Sequence, residues 1–305
     1  MSWVKRGLIY GPRGERSWAQ HSALTPTPFL ASDEVIRVYA GFRDDEGVSR
    51  IGCVDVDASD PSRVLTVSRD PILDIGRPGC FDDHGVILGD VVRSPEGVRM
   101  YYVGFQHVEK VKFMAFTGLA LSTDEGRSFQ RVSETPVLDR SDEGLFIRAV
   151  HSVRQDEGVW QVWYAAGSRW EVIAGKPYPA YSIYFLESKD GIDLSGAGRL
   201  CLEGRDGEYR IGRPRVYRSD GLYTMYYTKG TAAGDYLPGY AESKDGLGWS
   251  RMDEKVGIGL SPSGWDSQTL CYPSLCRANG KVYLFYNGNE MGRDGFGFAE
   301  RVEGE

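Results

Sequence analysis

The sequence lacks the features that mark secreted, membrane-spanning or disulfide-stabilised proteins. Its five cysteines, at positions 53, 80, 201, 271 and 276, are odd in number and show no Cys-x-x-Cys spacing, which favours buried thiols over disulfides or zinc ligands. Nowhere do about 18 apolar residues run together, and no apolar run of secretory length follows residues 1–7. We therefore expect a cytoplasmic protein with no membrane partner.

Charge of one sign is not concentrated anywhere along the chain. The 36 basic and 43 acidic residues give a formal net charge of −7 and are interspersed, so no surface for binding nucleic-acid phosphates is evident. The sequence also lacks a phosphate-binding Gly-x-x-x-x-Gly-Lys-Ser/Thr loop, a Gly-x-Ser-x-Gly elbow and a His-Glu-x-x-His zinc motif. We expect no nucleic-acid partner, no cofactor and no metal.

Long stretches with helical periodicity are also missing. In their place are 18 Tyr, 12 Phe, 7 Trp and 39 Gly, a combination typical of short strands joined by glycine-containing turns. At 305 residues the chain is long for an ordinary single domain, so composition allows either two domains or one large all-β domain.

An internal repeat decides between these architectures. Five aromatic-rich strands share one pattern, with equivalent tyrosines at positions 39, 102, 164, 227 and 286, which are 63, 62, 63 and 59 residues apart. A turn precedes each of these strands. A repeat of this length with about four strands matches one blade of a β-propeller, in which radial closure protects the sheet edges. We therefore predict an all-β, five-bladed β-propeller.

The predicted propeller is one domain spanning residues 1–305. Its blades fall approximately at residues 20–80, 81–143, 144–206, 207–264 and 265–302. The last repeat supplies only three obvious strands, whereas the N-terminus offers an isolated strand, so we predict that residues 3–10 complete the last blade. Ser-x-Asp-type turns at 122–126, 188–191 and 243–246 are interpreted as structural turns.

Polar side chains precede the first strand of the repeats at similar distances from the first hairpin turn. Because the innermost strands of a propeller line its axis, these side chains are expected to converge on one funnel. The candidate catalytic residues are Asp83, Glu208 and Asp266. The candidate substrate-binding residues are His21, Arg43, Asp44, Asp82, His84, Arg148, His151, Arg213, Tyr272 and Asn287.

Carboxylates of this kind suit cleavage of a glycosidic bond. One carboxyl group protonates the leaving oxygen, while another activates water or attacks the sugar. We assign Asp83 as base or nucleophile, Glu208 as acid, and Asp266 as a pKa-tuning group or acceptor for a sugar hydroxyl. Arg148 and Arg213 would hold an anionic part of the substrate, a carboxylate or a phosphate, through bidentate contacts.

Two alternatives to this catalytic funnel stay open. The charged groups could form a salt-bridged plug in the channel, with Arg148 and Arg213 neutralising Asp82, Asp83 and Asp266. The protein could also be a non-catalytic carbohydrate-binding propeller, which needs only aromatic rings, hydroxyl partners and arginines. In both the catalytic funnel and the non-catalytic binding propeller, the insertion at 170–179 could form an aromatic wall over the mouth of the funnel.

The sequence resembles the five-bladed propeller glycosidases, including the invertase/levansucrase and arabinanase/xylosidase families. It is more closely similar to glycosidase-like propellers of bacterial polysaccharide gene clusters. The blocks that carry this likeness are residues 8–10, 18–26, 43–52, 81–85, 211–214, 264–267, 271–273 and 286–289. They are spread over nearly the whole chain.

The resemblance implies a glycosidase-like enzyme acting on a small sugar, anionic sugars included, or on a sugar nucleotide in bacterial polysaccharide metabolism. The better-known relatives place a base or nucleophile Asp on the first blade, a tuning Asp on the second and an acid Glu on the third. Asp83 matches the second-blade position. The first blade instead opens with Gln20-His21-Ser22-Ala23, and the third supplies Arg148 and His151 in place of Glu.

Overall fold

The chain is built almost entirely of β-strands. The computed structural model describes residues 2–302. Its strands are β1 (Ser2–Tyr10), β2 (His21–Leu30), β3 (Val35–Arg43), β4 (Ser49–Asp57), β5 (Val64–Val67), β6 (Val86–Ser94), β7 (Gly97–Gln106), β8 (Met114–Ser122), β9 (Gln130–Arg131), β10 (Ile147–Asp156), β11 (Val159–Ile173), β12 (Lys176–Ser188), β13 (Arg199–Leu202), β14 (Glu208–Ser219), β15 (Leu222–Thr231), β16 (Tyr236–Ser243), β17 (Ser250–Arg251), β18 (Cys271–Ala278), β19 (Lys281–Asn287) and β20 (Phe296–Val302). A 3₁₀ turn at Asp253–Lys255 and a short helix at Asn289–Gly292 are also present. The predicted all-β class is confirmed.

The strands form antiparallel groups of four that follow the sequence repeat. Strands β2–β5 make one four-stranded sheet, and β18–β20 make another with β1, in the order β1-β20-β19-β18. The groups β6–β9, β10–β13 and β14–β17 join into one 12-stranded sheet through short parallel contacts of β8 with β10 and of β12 with β14. No helix within residues 2–302 is long and apolar enough to cross a membrane.

Side chains at repeated positions hold neighbouring groups together. Tyr39 Oη donates to the Gly126 carbonyl at 2.6 Å, Tyr101 Oη to Gly191 at 2.7 Å, and Trp163 Nε1 to Gly246 at 3.0 Å. Each acceptor lies in a Ser-x-Asp-type turn of the following group. In these turns Asp124, Asp190 and Asp245 accept hydrogen bonds from backbone N–H groups two to four residues ahead, so the interpretation of these turns as structural is confirmed.

The first strand of each group lies innermost. We call β2, β6, β10, β14 and β18 the inner ring, because β2 contacts β6, β6 contacts β10, β10 contacts β14, β14 contacts β18, and β18 contacts β2. The buried Asp90 of β6 links three of these strands: its carboxylate accepts a hydrogen bond from the Val153 N–H of β10 at 2.8 Å and pairs with Arg215 of β14 at 2.6 Å.

Every strand of the inner ring contains a β-bulge. The register shifts occur at residues 25–26, 89, 151, 213–214 and 272–273. Thr25, Arg213 and Tyr272 have φ values of 55°, 56° and 58°, in the left-handed region that residues with a Cβ occupy at a cost in energy. Because a bulge re-aims the side chains beside it, the ring directs several polar groups toward one end of the axis.

Strand β1 occupies the position predicted for the N-terminal strand. It pairs antiparallel with β20 from Ser2 opposite Val302 to Tyr10 opposite Phe296. The buried Trp3 donates from Nε1 to the Val256 carbonyl at 3.1 Å. Two cations of β1 form ion pairs of different burial. Lys5 pairs with Asp266 at 2.6 Å, and the Asp266 side chain is only 4% exposed. Arg6 pairs with Glu300 at 2.9 Å, and the Arg6 side chain is 46% exposed.

The difference between these two pairs gives the first prediction. Lys5→Met should lower the free energy of unfolding by about 3 kcal/mol, because it leaves the Asp266 carboxylate buried without a cation. Arg6→Met, one residue away on the same strand, should lower it by less than about 1 kcal/mol, since that pair is solvated. Urea denaturation of both variants measures the difference. Equal losses would contradict an anchoring role for the Lys5–Asp266 pair.

Candidate functional site

A cavity opens at the end of the inner ring where its strands begin. It has a volume of about 530 Å³ and is lined by the early residues of β2, β6, β10, β14 and β18, together with loops that follow β3 and β7. We call it the axial cavity. Its size is within the range of cavities that hold small organic ligands.

One side of the axial cavity is apolar and aromatic. Phe105, Phe113, Tyr178 and Tyr181 form what we call the aromatic wall. Tyr178 lies in the long hairpin of β11 and β12, the segment predicted as a wall-forming insertion. Trp170, on the same hairpin, packs behind the wall with its ring centre 5.3 Å from that of Phe113. The cavity therefore offers flat apolar surfaces of the kind that stack on sugar rings.

A second part of the lining, which we call the cationic side, is positively charged. Arg43, Arg210, Arg213 and Lys112 line the cavity, and among residues 2–302 Glu46 is the one carboxylate side chain that does so. This local excess of positive charge contrasts with the formal net charge of −7 for the whole chain. A cavity with this charge raises the local concentration of anions.

Arg213 is the most deeply placed of these cations. Its guanidinium donates to the Thr25 and Leu88 carbonyls and to Thr27 Oγ1, and none of these partners carries a charge. Burial lowers the pKa of Arg213 to about 9, and the neighbouring Arg215 lowers it further. Arg213 therefore remains charged at neutral pH, but at a cost that a bound anion would remove.

His151 is held as a neutral donor beside Arg213. Its Nδ1 lies 3.1 Å from Arg213 Nη1. Because a guanidinium can only donate, Nδ1 is assigned as the acceptor and the ring proton as residing on Nε2. Burial holds the pKa of His151 well below its usual value, and the adjacent Arg213 and Arg215 act in the same direction.

Two further histidines lie together at the mouth of the cavity. The rings of His84 and His107 have their centres 3.6 Å apart and are tilted by 33° relative to each other. Burial lowers the pKa of His107, as do His84 and Lys112, while Asp83 opposes the shift. Among residues 2–302, no group of three or more His, Cys, Asp or Glu side chains is arranged to hold a metal ion.

A pair of tyrosines completes the cationic side. Tyr236 Oη donates to Tyr272 Oη at 3.2 Å, and the guanidinium of Arg213 lies 5.9 Å from the centre of the Tyr272 ring. The guanidinium of Arg210 lies 4.4 Å from the centre of the Tyr236 ring. Burial raises the pKa values of both tyrosines, so both remain neutral hydroxyl donors at physiological pH.

The structure brings together part of the predicted site. The predicted residues that line the axial cavity are Arg43, His84, His151, Arg213 and Tyr272. Asn287 supports the site from behind, because its side chain accepts from the Thr25 N–H at 2.8 Å and donates to the Ala23 carbonyl at 2.8 Å.

His21 and Asp44 lie beside the cavity without lining it. Asp44 pairs with Arg50 at 2.7 Å and accepts from the backbone N–H groups of Glu46 and Val48 at 3.1 and 2.9 Å. It therefore fixes the loop that presents Glu46. His21 Nδ1 lies 2.8 Å from Ser22 Oγ.

The predicted catalytic carboxylates Asp83, Glu208 and Asp266 are not among the residues that line the cavity with Arg213 and Tyr272. Glu208 forms a bidentate pair with Arg251 of β17, at 2.7 and 2.9 Å. Asp266 pairs with Lys5, and Asp83 accepts from the Gly79 N–H within its own loop at 2.8 Å. Each of the three carboxylates has a hydrogen-bonding or ion-pair partner that does not line the cavity.

Asp82 and Arg148 are also placed differently from the prediction. The buried Asp82 pairs with Arg131 at 2.7 Å, and the buried Arg148 pairs with Glu143 at 2.9 Å. Arg148 also donates to the Asp139 and Gly196 carbonyls. These groups join neighbouring parts of the sheet framework and do not reach the cavity. The pairings of the alternative plug are not formed either.

Sequence reasoning missed several cavity residues. They are Thr25, Glu46, His107, Lys112, Arg210 and Tyr236. A signal for part of the site was present in three residue-proline pairs, Thr25-Pro26, Arg213-Pro214 and Tyr272-Pro273. Each pair is a bulge of the inner ring, where proline is tolerated because no ladder N–H is required.

Solved structures with a similar fold are glycoside hydrolases and related proteins. A protein described as a glycoside hydrolase has a TM-score of 0.73 at 17% identity and covers 99% of this chain and 94% of its own. A GH130 protein, described in terms of mannoside phosphorylases and glycoside hydrolases that target beta-1,2 mannosidic linkages, has a TM-score of 0.73 at 14% identity, covering 98% and 93%. A thermostable family-43 glycoside hydrolase has a TM-score of 0.70 at 15% identity, covering 95% and 93%. At these identities the likeness shows the fold, and it confirms the resemblance to glycosidase-like propeller proteins.

Closer relatives define the family. The proteins named "Uncharacterized protein Rv1502" and "Uncharacterized protein MT1551", from the H37Rv and CDC 1551 strains of Mycobacterium tuberculosis, are each 33% identical over 301 residues, covering 98% of this chain and 99% of the relative. The chain belongs to the same family as these proteins. No family model matches it.

The placement of the carboxylates gives the second prediction. Glu208→Gln should lower the free energy of unfolding by about 2 kcal/mol, because it removes charge-assisted hydrogen bonds to the largely buried Arg251. Asp83→Asn should change it by less than about 1 kcal/mol, since asparagine can still accept from the Gly79 N–H. Thermal or urea unfolding of both variants measures these changes. A neutral or stabilising Glu208→Gln change would argue against the structural role of Glu208.

Proposed function

We propose that the chain is a single-domain, five-bladed β-propeller with β1 completing the last blade. The closed sequence of contacts around the inner ring supports this proposal, as does the division of the strands into groups of four. Each group corresponds to one sequence repeat, with the blade limits predicted above. In this architecture all five blades contribute residues to the lining of the axial cavity.

We further propose that the protein is a glycosidase-like enzyme that acts on a glycosidic bond of a small anionic sugar or sugar nucleotide. The observation that carries this proposal is the buried Arg213, which lines the axial cavity without a carboxylate partner, in a cavity that the aromatic wall also lines. A sugar ring would pack on the wall while its anionic group meets the cations. The resemblance to propellers of polysaccharide gene clusters supports a place in bacterial glycan metabolism.

Proton transfer in such a reaction would fall to groups that line the cavity. Glu46, His84 and His107 line the cavity, and carboxylates and imidazoles are the side chains that most often transfer protons in catalysis. Asp83 lies close enough to His107 to favour its protonated form. Asp83 would then act through His107 in place of direct attack on the sugar.

A non-catalytic carbohydrate-binding propeller is the second candidate. The observation that favours it is that Asp82, Glu208 and Asp266 are each committed to an ion pair away from the cavity. A cavity without two opposed carboxylates differs from the arrangement used by most glycoside hydrolases. Binding without turnover needs only the aromatic wall and the cations.

The third prediction tests the wall. A ligand is first identified by a thermal-shift screen of neutral, carboxylated and phosphorylated sugars. Tyr178→Ala should then weaken its binding by about tenfold, because ring stacking is worth roughly 1 kcal/mol or more beyond simple burial. Val172→Ala lies on the same hairpin but is 72% exposed and outside the cavity lining, and it should leave affinity unchanged. Isothermal titration calorimetry measures both, and equal affinities would remove the wall from the binding site.

The fourth prediction separates the enzyme from the binding module. Incubation of the protein with glycosides of the identified sugar should release the free sugar, detected by mass spectrometry. Glu46→Gln should lower the rate at least about tenfold, consistent with loss of a proton-transfer group. Asp294→Asn, which alters a carboxylate outside the cavity lining, serves as the control. Tight binding with no released product would identify a binding propeller.

A further inference from the structure

We propose that the cationic side of the axial cavity is a phosphoryl-binding site, formed by Arg43, Arg210 and Arg213 around Tyr272. The ligand would therefore carry a phosphoryl group at this position, not a carboxylate. We call these three residues the arginine cluster. This inference deepens the proposed function and depends on it only for the sugar part of the ligand.

The arginine cluster is organised around the tyrosine pair. Arg213 lies 5.9 Å from the centre of the Tyr272 ring, and Arg210 lies 4.4 Å from the centre of the Tyr236 ring, whose hydroxyl donates to Tyr272. Arg43 lines the same cavity from the end of β3 and is within electrostatic range of Tyr272. The three arginines thus line one cavity from two different strands.

None of the three arginines has a counter-ion among residues 2–302. Arg215, two residues from Arg213, differs from them because it pairs with Asp90 at 2.6 Å. The Nε atoms of Arg43 and Arg210 are buried without a hydrogen-bond partner. Buried cations of this kind are unfavourable unless an anion compensates them. Arg213 is buried, Arg43 and Arg210 are partly buried, and their meeting at one cavity without a carboxylate partner indicates a site built for an anion.

The number and arrangement of donors favour a phosphoryl group. A carboxylate has two oxygens and is satisfied by the planar fork of one arginine. A phosphoryl group has three peripheral oxygens and carries up to two charges, so it can accept from several guanidiniums at once. Tyr272 and His151 also line the cavity, and their hydroxyl and ring N–H groups can serve as neutral donors. A carboxylate would leave most of these donors unpaired.

Phosphoryl groups from several sources share this chemistry. Inorganic phosphate, a sugar phosphate monoester and the diphosphate of a sugar nucleotide all present anionic phosphoryl oxygens to the arginine cluster, although they differ in the number of these oxygens and in charge. The sources differ in what reaches the rest of the cavity. A sugar ring attached to the phosphoryl group would extend toward the aromatic wall, whereas inorganic phosphate would leave the wall uncovered.

The test compares four probes with the complete protein. Inorganic phosphate, glucose 1-phosphate, UDP-glucose and glucuronate are titrated at constant ionic strength by isothermal titration calorimetry. At least one phosphoryl probe should bind about tenfold or more tightly than glucuronate, and the ranking of the three identifies the source. The advantage should shrink as salt is raised, because the contact is charge-assisted.

Variants then locate the site. Arg43→Met and Arg210→Met should each weaken phosphoryl binding by about tenfold or more, since each removes charge-assisted hydrogen bonds. Arg127→Met removes one exposed positive charge outside the cavity and should leave affinity unchanged. Arg213→Met is less informative because Arg213 also donates to the backbone carbonyls of Thr25 and Leu88. Circular dichroism confirms that the tested variants are folded.

The outcomes distinguish this inference from the proposed function. Glucuronate binding as tightly as every phosphoryl probe would overturn the inference, as would equal affinities of Arg43→Met, Arg210→Met and Arg127→Met. Turnover of glycosides without phosphoryl binding would leave the proposed function standing and refute the inference. Phosphoryl binding that maps to the arginine cluster, with no glycoside cleaved, would refute the enzyme and support the inference.

Discussion

The buried Asp90 carboxylate is the interaction on which the centre of this fold depends. It accepts from the Val153 N–H, pairs with Arg215, and so joins β6, β10 and β14 close to the axis. The inner ring is crowded at this level, where a Cβ on Gly89 would collide with the carbonyl oxygens of Val150 and Tyr101. Bulges let the strands approach this closely, and the same bulges turn side chains toward the axial cavity.

Asp90 also decides the charge of the cavity, because it neutralises Arg215 and leaves Arg213 without a counter-ion. Two arginines separated by one proline, on one strand and equally buried, thus have different roles. Arg215 stabilises the ring, while Arg213 retains an unpaired charge whose burial lowers its pKa. The strained backbone at Arg213 and Tyr272 adds to this local instability. The stability of the surrounding core offsets the unfavourable free energy of the unpaired charge and of the strained backbone.

The sequence predicts the fold better than the site, for a physical reason. Repeated tyrosines and turns are local signals that recur with every group, so the strand pattern and the pairing of β1 follow from them. The position of Arg213 or Tyr272 on an inner strand follows from the same count. The partner of a carboxylate cannot be predicted from this count. Glu208 and Asp266 pair with Arg251 and Lys5, and these cations are distant in sequence and come close only in the folded chain. Arg210 and Tyr236 carry no repeat signal and were missed for that reason.

The pairing of β1 with β20 has a consequence for the order in which the molecule assembles. On the ribosome, β1 is synthesised before the other strands described here, and its partner β20 is synthesised after them. Until then Trp3 lacks its buried surroundings, and the Asp266 carboxylate has its Lys5 partner only if the chain ends meet. The pairing of β1 therefore has to wait until β20 has been synthesised.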